Sequence, residues 1–166
     1  MTIIAKLLND KLDFTKLIYS IEDAKKVVRM GNIPILGCSS ILKKSTGIPQ
    51  SWDLTSDSIS AYVSNLLKAK LLIATNVDGI YTQEPNSVGS EFIDEIDAKK
   101  LLTLNETSTD PMLGKLLIEF RTNCFVVNGN FSERVLSLIK GENSDKISSN
   151  YYKNDYKFRY TLIRGE

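Results

Sequence analysis

The sequence predicts an α/β fold, built as a three-layer α/β/α sandwich around a mostly parallel sheet. Short apolar runs alternate with longer amphipathic segments along the chain, and parallel strands joined by helices produce this order. The runs at 71–74 and 124–127 are uninterrupted, which is typical of strands covered on both faces. In the amphipathic segment after Ser58, apolar residues recur at the spacing of one helical face.

One helix, one strand and a long loop are predicted in the first third of the chain. The helix, over about residues 20–31, begins at Ser20-Ile21-Glu22-Asp23, a variant of the capping box, and ends at Gly31. The strand over 33–36 contains a proline, which favours a strand start or a sheet edge. Residues 37–54 are rich in Gly, Ser and Pro and are predicted to form a long functional loop.

The middle of the chain has the most regular pattern. Thr55 or the serine after it begins a helix, and the buried strand at 71–74 follows. Residues 76–97 then form a long connection with several turn signals. Within this connection, residues 81–82 are predicted to pair with residues 91–93 as a small hairpin.

The last part of the chain continues the alternation of helices and strands. Asp110-Pro111 predicts a helix start, with aspartate at the cap and proline at the first helical position. A strand at 124–127 and a helix over about 131–140, stopped by Gly141, come next. We predict a single domain over residues 1–166, with a core at 20–141, a surface loop at 142–157 and a closing strand at 158–163.

Composition excludes several classes of function. The chain has 166 residues, two cysteines and no histidine, and its formal net charge is +1. Without histidine, Ser-His-Asp catalysis, Cys-His catalysis and most zinc sites are excluded. A net charge this close to zero indicates no nucleic-acid partner. No apolar run approaches the ~18 residues of a membrane span, and the sequence shows no signal peptide. We expect a cytoplasmic protein whose Cys38 and Cys124 are reduced thiols in or near the core.

Two polar segments lie where an α/β sheet binds ligands. Thr55-Ser56-Asp57-Ser58 opens a helix, and the strand after that helix runs into Thr75–Thr82. Open α/β sheets bind ligands at the carboxyl ends of their strands, so both segments are candidate binding segments. Taken alone, Asp57 is an acid at a helix start, Asp78-Gly79 is a turn, and Tyr81 is a candidate core residue.

The second segment resembles the nucleotide loop of the amino acid kinase superfamily, which includes acetylglutamate, uridylate and aspartate kinases. It reads Thr75-Asn76-Val77-Asp78-Gly79-Ile80-Tyr81-Thr82, with Pro85 after it. The family loop usually reads Thr-x-Val-Asp-Gly-Val-Tyr and then Asp-Pro, and Glu84 stands here where the aspartate is common. The resemblance implies that an ATP site is lined by Thr75, Asn76, Asp78, Gly79 and Tyr81.

Two further segments carry the resemblance. The residues around Asp57 look like the family segment whose aspartate holds catalytic lysines against the transferring phosphoryl group. Met112-Leu113-Gly114-Lys115 resembles a Gly-Met-x-x-Lys element whose lysine touches nucleotide phosphates, with Pro111 in place of the usual glycine. The resemblance therefore implies that Asp57 and Lys115 are catalytic. Without the resemblance, a lysine on this helix is most often solvated.

The resemblance also implies cofactors and partners. Asn128-Gly129 looks like the strand-to-helix turn near the adenine, so Asn128 is implied to bind nucleotide, although a turn with a helix cap explains it equally well. ATP and Mg²⁺ are the implied cofactors, the acceptor is a small metabolite, and a homo-oligomer is expected. No metal site made by protein side chains is predicted. Phosphoryl transfer needs positioning and cationic charge, and it needs no histidine.

The resemblance covers roughly residues 20–165, the C-terminal part of the family fold. Family members usually begin with a strand ending in Lys-x-Gly-Gly-Ser, followed by a Gly-Gly-Gly loop, and these cradle the phosphates. Neither motif occurs in the sequence. We therefore expect a fold that lacks its N-terminal part, which an N-terminal partner chain could supply. The residues before and after Asp57 most resemble an archaeal branch that includes an aminomethylfuran phosphate kinase.

Three functions are compatible with the sequence. The first is an ATP-dependent phosphotransferase that acts on a small metabolite, or the nucleotide-binding portion of one. The second is a non-catalytic nucleotide-binding or regulatory module that has lost the glycine-rich phosphate cradle. The third is an α/β domain whose only role is assembly.

Overall fold

The computed structural model describes four stretches of the chain, residues 2–44, 54–104, 108–141 and 159–165. The chain divides into two compact units, residues 1–51 and residues 52–166. The single domain predicted for the whole chain stays a prediction.

The first unit is a small α/β unit with a two-stranded parallel sheet. Its elements in order are α1 (Thr2–Lys11), β1 (Thr15–Ile18), α2 (Ile21–Arg29), β2 (Ile33–Leu36) and α3 (Ser39–Lys44). The strands pair in parallel, with Thr15 opposite Ile33. The sequence patterns predicted α2 and β2 but not α1 and β1. The predicted loop at 37–54 was wrong for its first part, because α3 lies within it, and residues 45–53 lie outside the described stretches.

Local signals explain the elements that were predicted in this unit. The Ser20 hydroxyl oxygen accepts the backbone N–H of Asp23 at 3.1 Å, which confirms the cap of α2. Gly31 follows the helix with a φ of +75°, a conformation that glycine adopts without strain. Pro34 lies opposite Lys16 in a sheet of two strands, where each strand has an open edge, as expected for proline.

The second unit contains the larger sheet. Its helices are α4 (Ser56–Leu67), α5 (Ala98–Leu101), α6 (Leu113–Phe120) and α7 (Ser132–Lys140). Its strands are β3 (Leu71–Thr75), β4 (Ile80–Tyr81), β5 (Phe92–Ile93), β6 (Glu95–Asp97), β7 (Cys124–Asn128) and β8 (Thr161–Arg164). The sheet order is β3-β7-β8-β6, and only the β7–β8 pair is antiparallel. The predicted hairpin is confirmed, because β4 pairs with β5 in antiparallel fashion.

Apolar side chains cover both faces of this sheet. One cluster joins the sheet to α4, α5 and α6, and its fully buried members include Leu113, Leu117 and Val126. A smaller cluster around Val127 on the other face includes side chains of α7. Helices therefore pack on both faces of a mostly parallel sheet, and the predicted α/β fold class is confirmed.

Three details differ from the predictions. Helix α6 begins at Leu113, three residues after Asp110, although the Asp110 side chain does cap it. Ala74 is exposed, so β3 is not covered on both faces along its whole length. The closing strand β8 begins at Thr161 and not at residue 158, and the predicted surface loop at 142–157 lies outside the described residues.

Two further expectations concern the thiols and the membrane. Cys38 and Cys124 are both free and buried, as predicted for core cysteines. None of the helices in the described stretches combines the length and the apolar character that crossing a membrane requires.

Candidate functional site

The candidate site lies at the carboxyl ends of β3 and β7. These strands are parallel neighbours, and Thr75 at the end of one lies opposite Asn128 at the end of the other. The backbone N–H of Gly129 donates to the Thr75 carbonyl at 2.8 Å, which ties the two turns together after the strands end. The polar turns predicted from sequence are therefore brought to one edge of the sheet, where parallel α/β sheets bind ligands.

Asp78 is held by a buried network beside this edge. Its Oδ1 accepts hydrogen bonds from the guanidinium of Arg134 at 2.7 Å and from the amide of Asn128 at 3.1 Å. The Arg159 guanidinium lies 3.6 Å from the other oxygen. The side chain of Arg134 is 2% exposed and that of Asp78 is 11% exposed, so this is a buried charge pair. Arg134 also packs against the ring of Phe131, at 4.0 Å from the ring centroid.

The network controls the charge of Asp78. Burial pushes the pKa of this carboxyl upward, but the hydrogen bonds from Arg134 and Asn128 and the charges of Arg134 and Arg159 outweigh it. The net effect is a pKa below the ordinary value, so Asp78 is ionised near neutral pH. The network joins the Asp78 turn to α7 and to the segment before β8.

A cavity of about 290 Å³ opens at the same edge. Ligand pockets for small molecules are typically ~300–1,000 Å³, so this volume is at the small end of that range. It is lined by Thr75, Asn76, Val77, Gly79, Tyr81, Gln83, Glu84, Pro85 and Ser108. The Tyr81 ring packs edge-on against Phe92, with 5.4 Å between ring centroids. The lining thus combines an aromatic wall with amide, hydroxyl and backbone groups, as binding sites for small polar ligands do.

Gly79 is required by its surroundings. A Cβ at this position would collide with the Thr161 side chain and touch Phe92. Thr161 cannot retreat easily, because its hydroxyl accepts the Ile80 N–H at 2.8 Å and donates to the Ile93 carbonyl at 2.6 Å. The Asp78-Gly79 turn is therefore packed closely against β8.

Asp110 organises a second polar cluster. Its buried carboxylate accepts six hydrogen bonds, from Thr55 and Ser58 at the start of α4 and from Met112 and Leu113 at the start of α6. Thr55 and Ser58 each donate through both the backbone N–H and the hydroxyl, whereas the two residues of α6 donate only backbone N–H groups. We call this arrangement the Asp110 clamp. It joins segments 52 to 55 residues apart in sequence.

The charges in the clamp affect two carboxyls in opposite directions. Burial alone would raise the pKa of Asp110. The hydrogen bonds from Ser58 and Thr55 lower this pKa by more than burial raises it, so the net shift is downward. Asp57, which is half-buried on the first turn of α4, has a raised pKa because of burial and then the Asp110 charge. A position on the first turn of a helix favours the ionised form of Asp57, whereas burial and the Asp110 charge act against ionisation.

A short contact joins the two clusters. The Ser108 hydroxyl donates to the Gly79 carbonyl at 3.3 Å, and Asp110 follows two residues later. The clamp and the cavity are therefore neighbours on one side of the sheet.

Lys115 lies on the first turn of α6 and is exposed. Its ammonium makes no hydrogen bond or ion pair with the described residues.

The site residues predicted from the sequence occupy three kinds of position in the structure. Thr75, Asn76, Gly79 and Tyr81 line the cavity. Asp78 and Asn128 do not line it but support its turn through hydrogen bonds. Asp57 and Lys115 lie on the two helix starts that the clamp joins. The roles assigned to all eight residues stay predictions.

Sequence reasoning missed the residues that hold this edge together. Asp110 was interpreted only as a helix cap, and Arg159 and Ser108 were assigned no role. The pattern of α7 gives no signal for Arg134, because its apolar residues Leu136 and Ile139 are exposed whereas Arg134 is buried. No local signal predicts that Asp110 joins two helices, because half of the residues that donate hydrogen bonds to it lie on a distant segment.

The described residues contain no group of three or more His, Cys, Asp or Glu side chains arranged to hold a metal ion.

Comparisons with known proteins show which sequences and structures the chain is similar to. The model of the amino acid kinase family matches residues 5–128. The chain is 35% identical over 135 residues to a [5-(aminomethyl)furan-3-yl]methyl phosphate kinase from Methanocaldococcus jannaschii, covering 81% of the chain and 60% of that protein. It is 32% identical over 101 residues to a uridylate kinase from Methanococcus maripaludis, covering 54% of the chain and 44% of that protein. The chain thus spans less than two thirds of either relative.

Two solved structures share the fold. The uridylate kinase from Archaeoglobus fulgidus superposes with a TM-score of 0.67 at 19% identity, covering 98% of the chain and 67% of that protein. The UMP kinase from Ureaplasma parvum gives a TM-score of 0.69 at 19% identity, with the same coverage of 98% and 67%.

Proposed function

The chain belongs to the amino acid kinase family, as its motifs predict, and we propose that it is the nucleotide-binding portion of an ATP-dependent kinase of a small metabolite. The resemblance to the archaeal aminomethylfuran phosphate kinase branch is supported by a relative from that branch. One observation carries the proposal. Five of the eight residues that resemble the family's nucleotide loop line the cavity at the carboxyl edge of the sheet.

The cavity suits the nucleoside part of ATP. Tyr81 offers an aromatic face or edge to a base, and Asn76 and Ser108 offer groups that hydrogen-bond a base or ribose. Its volume, about 290 Å³, is too small for a large ligand and matches a compact ring system. In this proposal Asp78 does not touch the nucleotide. It holds the turn in place through Arg134 and Asn128.

The phosphates would extend toward the clamp. Lys115 is exposed and without a partner among the described residues, so its ammonium is available to bind phosphate oxygens. The described residues hold no group of three or more His, Cys, Asp or Glu side chains arranged for a metal ion, and in this proposal Mg²⁺ arrives on the phosphates of ATP. Bound Mg²⁺ neutralises charge on the phosphate oxygens. Asp57 would hold a catalytic lysine by charge and hydrogen bonding.

The acceptor we propose is a phosphomonoester. Both kinds of named relative are kinases of phosphorylated molecules, one of a furan phosphate and one of uridylate. Such a kinase adds a second phosphate and forms a diphosphate product. We propose further that the active form is a cytoplasmic oligomer and includes a glycine-rich segment, since the chain spans 60% of the first relative and contains no Gly-Gly pair.

The alternative of a non-catalytic nucleotide-binding module is not supported by the comparisons. The relatives named above are kinases.

Calorimetric titration of ATP·Mg²⁺ into the purified chain tests the nucleotide site. We expect weak, saturable binding that Lys115→Ala weakens by about tenfold, or roughly 1.4 kcal/mol. Lys99→Ala is the matched control, because Lys99 is an exposed lysine on α5 of the same unit. Equal affinities of the wild-type chain and Lys115→Ala would remove this lysine from the site. No saturable binding by the wild-type chain would contradict the proposal.

ATP consumption tests the rest of the proposal. We expect no turnover by the chain alone, because one or two cations do not replace a cradle of backbone amides, and losing even one such donor costs ~10²–10³ in rate. Turnover with UMP or another phosphomonoester should appear when a glycine-rich N-terminal segment of a relative is added. Turnover at ~1–10³ s⁻¹ by the chain alone would show that the site needs no such segment.

A further inference from the structure

We infer that Asp110 is a positioning residue that fixes Asp57 and Lys115 relative to each other. The inference rests on the function proposed above. Asp57 lies on the first turn of α4 and Lys115 on the first turn of α6, and the Asp110 clamp attaches both helix starts to one carboxylate. A shift of about 1 Å between catalytic groups can cost ~10²-fold in rate, so a rigid joint at this point matters for transfer.

The clamp does more than an ordinary helix cap. Asp97 shows what a local cap requires, since its side chain accepts only the N–H of Lys99 on its own helix. Asp110 satisfies its own helix with Oδ1 alone. Its Oδ2 accepts three hydrogen bonds, and all three come from the start of α4. Its Oδ1 also accepts the Ser58 hydroxyl, so four of the six hydrogen bonds to this carboxylate come from the start of a distant helix.

Burial makes the joint stiff. Asp110 is 8% exposed and Ser58 is fully buried, so water cannot readily replace the hydrogen bonds between them. All of the donors in the clamp are neutral groups. The negative charge is thus stabilised by oriented N–H and O–H dipoles and by the starts of two helices. Among the described residues, no cation is drawn into the clamp, so Lys115 remains free to face a ligand.

A double-mutant cycle tests whether Asp110 acts through Lys115. Asp110→Asn keeps the shape of the side chain but places an amide NH₂ against N–H donors, which breaks part of the clamp. We expect Asp110→Asn to weaken ATP·Mg²⁺ binding about tenfold in calorimetry, whereas in a Lys115→Ala background the same change should weaken it less than about twofold. Asp97→Asn, a cap outside the clamp, should leave the affinity unchanged in both backgrounds.

Each other outcome is decisive. An equal loss in both backgrounds would mean that Asp110 stabilises the fold without positioning Lys115, and the inference would be wrong. If Asp110→Asn binds ATP·Mg²⁺ as tightly as Asp97→Asn does, the inference is also wrong. If circular dichroism shows that Asp110→Asn does not fold, Ser58→Ala takes its place, because it removes one donor and keeps the carboxylate. Ser58→Ala must then show a smaller loss of ATP·Mg²⁺ affinity, and this loss must depend on Lys115 in the same way. Failure of the wild-type chain to bind ATP would instead contradict the proposed function.

Discussion

Removing the charge of Asp78 should destabilise the protein severely, because its partner Arg134 is buried. In Asp78→Asn the guanidinium, 2% exposed, loses the carboxylate that lies 2.7 Å from it. Breaking a buried ion pair from one side typically costs ~3–5 kcal/mol, since a charge remains without its counter-charge. For a chain of this length each kcal/mol shifts the melting temperature by ~2–4 °C, so we expect a decrease of about 6–20 °C.

Thermal unfolding followed by far-UV circular dichroism measures this effect, and the molecule contains a matched control. Glu95 pairs with Arg164 at the surface, where both side chains are more than 40% exposed. Glu95→Gln should cost less than ~1 kcal/mol, because exposed pairs are screened by water. If Asp78→Asn lowers the melting temperature no more than Glu95→Gln does, the buried pair is not a major source of stability and the reasoning is wrong.

A second variant separates the cost of the stranded charge from other losses. Arg134→Met, added to Asp78→Asn, replaces the buried cation with an apolar side chain of similar length. Replacing both members of a buried pair is often neutral or stabilising, so the double variant should melt at a higher temperature than Asp78→Asn alone. A double variant that melts lower than either single variant would refute this account.

The same pair predicts how stability depends on pH. Although burial raises it, the pKa of Asp78 is lowered overall, so its contribution is fully present above the unfolded value of about 4. The contribution is lost as the pH falls through the folded value. The difference in melting temperature between the wild-type chain and Asp78→Asn should therefore narrow as the pH is lowered from about 6 to about 3.

Three further predictions concern single positions. Gly79→Ala should cost ~1–3 kcal/mol in urea unfolding, because its Cβ would collide with Thr161; unchanged stability would mean that the turn relaxes freely. Cys124 is fully buried and its pKa is raised mainly by burial, so a thiol reagent should label it only at the rate of unfolding, and fast labelling in the native state would contradict its burial. Asp57→Asn should preserve the fold and lower turnover of the completed enzyme more than about tenfold, and a smaller loss would make Asp57 a structural cap.

The elements predicted from sequence are those with strong local signals. Helix α4 shows apolar residues on one face, and α2 and α7 end at Gly31 and Gly141, both with positive φ. Strands β3 and β7 are apolar runs, of which β7 lies inside the described sheet and β3 at its edge. In each case the information lies within a dozen neighbouring residues, and local propensity agrees with the tertiary structure.

The elements missed from sequence are short or depend on distant contacts. Strand β6 has three residues and α5 has four, which is too short for a periodic pattern. Helix α3 lies in a stretch whose Gly and Ser content favoured a loop. The sequence placed the start of α6 too early, because Asp110-Pro111 is a strong local signal for a helix start. In the structure the Asp110 carboxylate also accepts a hydrogen bond from α4, and a local signal cannot predict that contact.

The candidate site was predicted in part for the same reason. The lining of the cavity comes mostly from one continuous segment, so a motif of eight residues was enough to find it. The support of that segment comes from Arg134, Arg159 and Asn128, on two other elements and a third segment. Such support depends on which elements become neighbours in the fold, and spacing along the chain does not encode it.

The two carboxylates that organise this edge differ in how their charge is balanced. Asp78 is surrounded by two arginines, so its network is close to neutral. Asp110 is held by neutral donors, and burial, followed by the uncancelled charge of Asp110, raises the pKa of Asp57. Within the described stretches no cation contacts either member of the Asp57–Asp110 pair. A lysine brought to Asp57 would bind its carboxyl in a partly desolvated setting, where charge-assisted hydrogen bonds are strong. This charge imbalance supports the proposal that a lysine is held on the clamp side of the site and that Asp78 has a supporting role.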